Sequence, residues 1–292
     1  MIKFNLIFTN HLKNYKHVND LGDGAYGDIS VYSCNHGFFK KCKKQFVVKQ
    51  IKIKKCKSER DKRNMTKSMQ HEWTIHRILN HDNIRKLIDI DLTNNILVCE
   101  YNRKFIDLFD FSEQKLFIAK EQNIDKFIKQ FDSVLTYIHS LGVAHMDLKL
   151  ENILIDKDYN IKIIDFGNSC VYKLYDKLNL LKGLRTTLEY ASPEQFTHAY
   201  YSPDKCDLWS FGIILFSIMT DAYPWTRAIK TDMDYLNYYA CPEIFLTQFN
   251  INVKYYYLLK NLLSINTKRR CFSFKNLLQN KHLLQNGSFF AL

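Results

Sequence analysis

Two carboxylates, a lysine and an amide stand close together in "HMDLKLENILIDKDYNIKIIDFG", residues 145–167. Asp147 can accept the proton of an attacking alcohol, and Lys149 can neutralise a phosphoryl group in transfer. Asn152 and Asp165 offer hard oxygen ligands suited to Mg2+. Phosphoryl transfer asks a protein mainly for positioning and charge neutralisation, which these residue types provide. Upstream, "LGDGAYGDI" sets Gly22, Gly24 and Gly27 in one G-x-G-x-x-G. A dinucleotide fingerprint of that form runs from strand into helix. Here the following "DISVYS" is alternating and β-branched, which predicts a strand–turn–strand hairpin over phosphates. In "FVVKQI", Lys49 lies in an apolar strand, either as a snorkelling edge lysine or as a cation held against phosphate. The second role needs a carboxylate, for which Glu72 in "MQHEWTIHRIL" is the candidate.

The elements that must position these residues follow from periodicity. "HVNDLGDGAYGDISVYSC", "QFVVKQIKI" and "NNILVCEY" read as strands, with a turn at "NHG", residues 35–37. "SMQHEWTIHRILNH" reads as a helix with Met69, Trp73, Ile75, Ile78 and Leu79 on or near one face. Beyond residue 102 the pattern is largely helical: 125–142, 208–220 and 255–265, interrupted by short strands in "NILID" and "IKIID". A β-rich first third and a helical remainder predict an α+β, two-lobed chain with a cleft between the lobes.

Composition narrows the class. With four prolines and nine glycines in 292 residues, long linkers are absent. The eight cysteines form no C-x-x-C pair, which argues against zinc sites and for thiols in a reducing compartment. No signal peptide is recognised, and "LWSFGIILFSIM", bounded by Asp207 and Asp221, is too short to span a bilayer and reads as a core helix. The expectation is a soluble intracellular protein, cytoplasmic or nuclear, with no membrane partner. A formal charge of +12 raises nucleic acid as a partner. The densest basic run, "KQIKIKKCKSERDKRNMTK" from Lys49, has no interleaved aromatic residues, so a stacking platform is not expected. This 49–67 stretch reads as a solvated loop, with docking of an acidic partner as the alternative.

Together these motifs resemble a eukaryotic-type protein kinase, from about Leu21 to Arg270. The resemblance implies one bilobal kinase domain over residues 1–292, with an N-terminal extension at 1–18, an N-lobe at 19–101 and the hinge and C-lobe at 102–292. It implies ATP and Mg2+ as cofactors. Gly22, Gly24 and Gly27 resemble the loop over ATP, and Lys49 with Glu72 the ion pair that sets the α/β-phosphates. Residues 100–102, with Glu100 and Asn102, look like the hinge that reads adenine, with Cys99 at the gatekeeper position. Leu21, Ile29, Val47 and Leu154 would sandwich the adenine ring. Asp147 would be the catalytic aspartate, Lys149 the γ-phosphate lysine, and Asn152 and Asp165 the metal ligands. "LEYASPEQF" is similar to the end of an activation segment, with Glu194 pairing with Arg270 of "NTKRR", and Asp207 in "DLWSFG" would anchor the core helix. Lys149 and Thr187 are similar to the serine/threonine branch, which implies protein substrates with Ser or Thr acceptors. Asp107 and Glu151 fall where basophilic members hold a substrate arginine, while Ser217 stands where many have another acid.

Several positions depart from the family pattern. Met146 replaces the arginine that grips an activation-loop phosphate, and a thioether carries no charge and donates no hydrogen bond. Gly183 occupies roughly the usual phosphosite. The expectation is an active enzyme whose loop is ordered by packing of "VYKLYDKLNLLKGL", without phosphorylation of Ser169, Tyr172, Tyr175 or Thr186. Ser192 replaces an alanine, and Thr186 replaces the glycine common before Thr187. The alternative is a pseudokinase that binds nucleotide or partners without transfer, although no phosphate- or metal-handling residue has been lost.

Overall fold

The hydrophobic alternation of the first hundred residues is realised as a five-stranded antiparallel sheet. The structure is a computed structural model that describes residues 15–24, 27–34, 44–50, 58–91, 94–175, 177–197, 199–249 and 251–271. The chain divides into two compact units, the first ending at Phe105 and the second beginning at Ile106. In the first unit, β1 (Tyr15–Gly24), β2 (Gly27–Cys34) and β3 (Gln45–Gln50) precede helix α1 (Glu59–His76). Strands β4 (Leu87–Asp91) and β5 (Ile96–Glu100) complete the sheet in the order β1-β2-β3-β5-β4. Val48, Ile96 and Val98 cluster with Tyr32, Phe46 and Ile88. The neighbours Lys49 and Leu97 are paired in register and point to the other face, where Leu97 packs with Met69 and Trp73 of α1. Each such fully buried apolar side chain contributes about 1.5–3 kcal/mol. The turn expected at 35–37 and the residues 51–57 lie outside the described residues.

The basic stretch 49–67 is not the loop expected. Its second half belongs to α1, which starts ten residues before the residue-69 face suggested. Ser58 caps this end, its Oγ accepting from Asp61 N at 3.1 Å, and Glu59 and Asp61 complement the helix N-terminus. Basic residues Arg60, Arg63 and Lys67 are exposed. The helix also stops earlier than its hydrophobic pattern, at His76, so Ile78 is exposed rather than on the buried face.

The second unit opens with β6 (Ile106–Asp107), α2 (Leu108–Glu113), α3 (Glu121–Ser140) and β7 (Val143–Ala144). Seven residues of α3, from Ile124 to Ile138, are buried at helical spacing. A 3-10 turn at Leu150–Asn152 leads into the hairpin β8 (Ile153–Ile155) and β9 (Ile161–Ile163). Short strands β10 (Cys170–Val171), β11 (Lys173–Leu174) and β12 (Lys177–Leu178) follow, β10 pairing with β7 and β11 with β12. Two further 3-10 turns, Leu188–Tyr190 and Pro193–Phe196, precede α4 (Pro203–Thr220). Helices α5 (Met233–Ala240), α6 (Pro242–Thr247) and α7 (Val253–Leu262) complete it. Helix α4 is buried all round, as an apolar stretch of this length should be, and Phe211 stacks on Phe131 of α3 at 4.3 Å. Among the described residues no helix is long and apolar enough to cross a membrane.

Candidate active site

In the first unit, sheet register gathers the predicted residues. Gly24 pairs with Gly27 and Gly22 with Ile29, so the glycine motif closes the β1–β2 hairpin. Gly22 has φ +144, where side chains are strained, and a Cβ there would meet nothing within 4 Å among the described residues. Its glycine is required by the backbone and leaves open space beside it. Ile29 pairs with Lys49, and Val47 with Cys99, which puts all four on the face that carries α1. The Lys49 Nζ meets Glu72 Oε2 at 2.9 Å and Oε1 at 3.1 Å, with both side chains largely buried. Val47 is buried, while Leu21 is 48% exposed. Glu100 accepts Lys86 N at 3.1 Å through Oε1, and Asn102 caps a turn by accepting Lys104 N at 3.1 Å. Burial pushes the Cys99 thiol up to about 12, so it stays protonated and unreactive at neutral pH.

In the second unit, one buried carboxylate fixes the loop that carries Asp147. Asp207 of α4 accepts His145 N at 2.8 Å and Met146 N at 2.9 Å, and its Oδ2 lies 2.9 Å from His139 Nε2. Met146 has φ +64, a strained left-handed conformation for a methionine, and these bonds hold it there. The His145 ring accepts Asp147 N through Nδ1 at 3.2 Å, leaving Nε2 to donate to Ile164 O at 3.0 Å. It also packs edge-on against Phe166 at 4.8 Å. His145 therefore ties the 145–147 loop to the 164–166 segment. Sequence reading placed Asp207 in the core helix but did not foresee this backbone clamp, because the partners are 61 and 62 residues apart.

Asp147, 9% exposed, collects three hydrogen-bond donors and one ion pair at its carboxylate. Thr187 Oγ1 donates to Oδ1 at 3.2 Å and Thr186 Oγ1 to the same oxygen at 3.4 Å. Lys149 Nζ lies 3.5 Å from Oδ2, and Asn152 Nδ2 lies 3.4 Å from it while donating to Asp147 O at 2.8 Å. Lys149 also donates to Thr187 Oγ1 at 3.3 Å. With its nitrogen committed inward, Asn152 keeps its amide oxygen as a hard ligand. Ile153 pairs with Ile163, so Asn152 and Asp165 flank the same end of the β8–β9 hairpin. Asp165 takes φ +63 and accepts Gly167 N at 3.2 Å. Leu154, in β8, is half-buried and pairs with Asp107.

The flanking segment is anchored from below. Arg270, fully buried, meets Glu194 at 2.5 and 3.1 Å, donates to Lys205 O and Ser264 O, and lies over the Trp209 ring at 4.8 Å. Ser192 is buried and donates to Cys206 Sγ at 3.2 Å, so the hydroxyl is accommodated. Tyr190, which sequence reading did not single out, accepts Leu150 N at 3.2 Å and bonds the Tyr223 hydroxyl at 2.7 Å. Burial raises its pKa strongly. Of the residues named for a substrate arginine, Asp107 is half-buried and accepts Asp110 N at 2.8 Å as the N-cap of α2, and Ser217, where many members have an acid, is buried and donates to Ile213 O. Glu151 alone of the three is exposed.

Packing orders the 171–184 stretch only in part. Tyr172 and Leu181 join Met146, Ala144, Tyr201 and Cys206 in one apolar cluster, whereas Leu174, Tyr175, Leu178, Leu180 and Leu184 are exposed. Backbone bonds supply the rest. Tyr172 N and Lys173 N donate to Gly142 O, Leu181 and Tyr201 exchange bonds at 3.0 and 2.9 Å, and Tyr201 Oη donates to Gly183 O at 2.6 Å.

Comparison with known proteins identifies the family. The model of the protein kinase domain family matches residues 15–283. A probable serine/threonine-protein kinase RTK1 of Saccharomyces cerevisiae is 31% identical over 220 residues, 72% of this chain and 34% of that protein. The carbon catabolite-derepressing protein kinase of the same yeast is 32% identical over 217 residues, 73% of this chain and 32% of that protein. The probable serine/threonine-protein kinase MARK-B of Dictyostelium discoideum is 37% identical over 187 residues, covering 63% of this chain and 24% of that protein. The chain thus spans a quarter to a third of the length of these relatives. With a β-sheet unit, a helical unit and a family match over nearly its whole length, the chain belongs to the protein kinase domain family, in its eukaryotic-type serine/threonine branch.

Proposed function

We propose that the chain transfers the γ-phosphoryl group of Mg·ATP to serine and threonine hydroxyls of protein substrates, without needing a phosphate on its own activation segment. The observation that carries this reading is the buried Asp147 carboxylate with Lys149, Asn152 and Thr187 arrayed around it. In this role Asp147 accepts the acceptor hydroxyl's proton, and Lys149 neutralises charge on the group in transfer. Asn152 and Asp165 would hold Mg2+, which supplies charge neutralisation across the phosphates when bound. The nucleotide contacts are assigned to Leu21, Gly22, Gly24, Gly27, Ile29, Val47, Lys49, Cys99, Glu100 and Asn102 in the first unit and to Leu154 in the second. The open space beside Gly22 and the paired Lys49–Glu72 charges fit a phosphate group there.

Independence from loop phosphorylation is supported by the apolar cluster around Met146 and by the backbone bonds at Gly142 and Tyr201, none of which requires a phosphate. A preference for basic substrates would rest on Glu151, which is exposed, and on Asp107, which is half-buried. An acidic partner at the 49–67 stretch would meet the exposed basic residues of α1.

The test is transfer of labelled γ-phosphate to a generic basic protein by enzyme pretreated with phosphatase. Label should appear on phosphoserine and phosphothreonine at the rate of untreated enzyme. Label on tyrosine would contradict the acceptor class. Activity lost on phosphatase treatment, and restored by phosphorylation of Ser169, Tyr172, Tyr175 or Thr186, would contradict the independence.

A further inference from the structure

An ionised carboxylate offers about four lone-pair positions, two on each oxygen. At Asp147 three hydrogen bonds are made, from Thr186 and Thr187 to Oδ1 and from Asn152 to Oδ2, and the Lys149 ammonium forms an ion pair with Oδ2 at 3.5 Å. A substrate hydroxyl must approach a general base to within roughly 2.6–3.2 Å. It therefore has to enter among groups that already surround both oxygens, and on Oδ1 it meets two hydroxyl donors. Lys149 and Asn152 are committed to charge and metal in the reading above, and Thr187 is held a second time by Lys149 at 3.3 Å. Thr186 differs from the other three. Its 3.4 Å bond to Asp147 is the one hydrogen bond its hydroxyl makes among the described residues. A single rotation about χ1 removes it.

We propose that the Thr186 hydroxyl occupies the acceptor seat on Asp147 in the unliganded protein, and that a substrate hydroxyl enters by displacing it. This inference rests on Asp147 being the base. Thr186 then acts as a gate that weakens binding of the reacting hydroxyl. Its effect falls on the hydroxyl of the substrate residue and spares the rest of the peptide. The position normally held by glycine thus carries a competitor built into the chain.

Thr186→Val tests this, since valine keeps the β-branched shape and loses only the donor. A serine-containing basic peptide is titrated against enzyme holding a non-hydrolysable ATP analogue, beside the same peptide with alanine at the acceptor. The serine peptide is expected to bind Thr186→Val about three- to ten-fold more tightly than the unaltered enzyme, the range one modest hydrogen bond provides. The alanine peptide should bind both equally, and Thr186→Ser should retain the unaltered affinity. In turnover the gain should enter through the peptide KM. Equal binding of the serine peptide by both proteins, or Thr186→Ser behaving as Thr186→Val, would overturn the gate. Transfer retained by Asp147→Asn would remove the base reading, and the gate with it. Transfer lost by Asp147→Asn, with equal peptide binding by Thr186→Val, would remove the gate alone.

Discussion

Met146 and Asp147 are neighbours with opposite environments, and the difference is chemical. The methionine is 2% exposed, packed among Tyr172, Tyr201 and Cys206, while its backbone N–H is held by Asp207. An arginine at 146 would bury a guanidinium in that cluster, and a buried charge without a partner is costly. Met146→Arg is therefore expected to destabilise the protein by about 2–4 kcal/mol, lowering the Tm by roughly 4–16 °C. Thermal unfolding of the two proteins checks this. An unchanged Tm would mean that the cluster accommodates the charge and does not order the segment by packing. The residue types at 146, 147 and 149 were readable directly. What sequence could not give was the count of donors around one carboxylate, because Thr186 and Thr187 reach it across about 40 residues of chain.

Elements show where local pattern suffices and where it fails. Helix α3 was legible because seven buried residues repeat at helical spacing, and α4 because it is apolar all round. The start of α1 was hidden because its first turns are charged and solvated; the readable signal was Ser58 with Glu59 and Asp61, a capping pattern inside a basic run. Gly142 carries a contact no periodicity encodes: with φ +71, a Cβ there would lie 2.0 Å from Lys173 O. The same logic of capping makes a pH prediction at α5. Asp232 accepts Thr226 N, Thr226 Oγ1, Arg227 N and Tyr235 N. Partial burial alone would raise its pKa, but these bonds outweigh it and the carboxyl lies below its usual range. A folded-state pKa below the unfolded one adds stability above the unfolded value, and that stability fades as pH falls through the folded one. Asp232→Ala should thus lower the Tm at pH 7, and the gap should narrow below about pH 4. A gap that is constant with pH would show that the cap does not depend on its charge.

At the scale of the whole molecule, the order of motifs along the chain gave the α+β class and the two-unit organisation, since strand-type and helix-type periodicity change over near residue 102. The candidate residues were legible by type, the Lys49–Glu72 pair among them, and the structure adds the buried scaffold beneath Asp147: Asp207 gripping the 145–146 backbone. That scaffold was less legible because burial and long-range pairing, not spacing, define it. All of these elements serve Asp147 as the proposed base of a phosphoryl transfer. The most direct measurement is the rate of γ-phosphate transfer to a serine-containing protein by Asp147→Asn beside the unaltered chain, with Mg·ATP affinity measured for both. Asp147→Asn should leave nucleotide affinity equal and lower the transfer rate by about 10²–10⁴-fold, the usual contribution of a positioned general base. Equal transfer rates, or Mg·ATP bound by the unaltered chain with no transfer at all, would contradict Asp147 as the base.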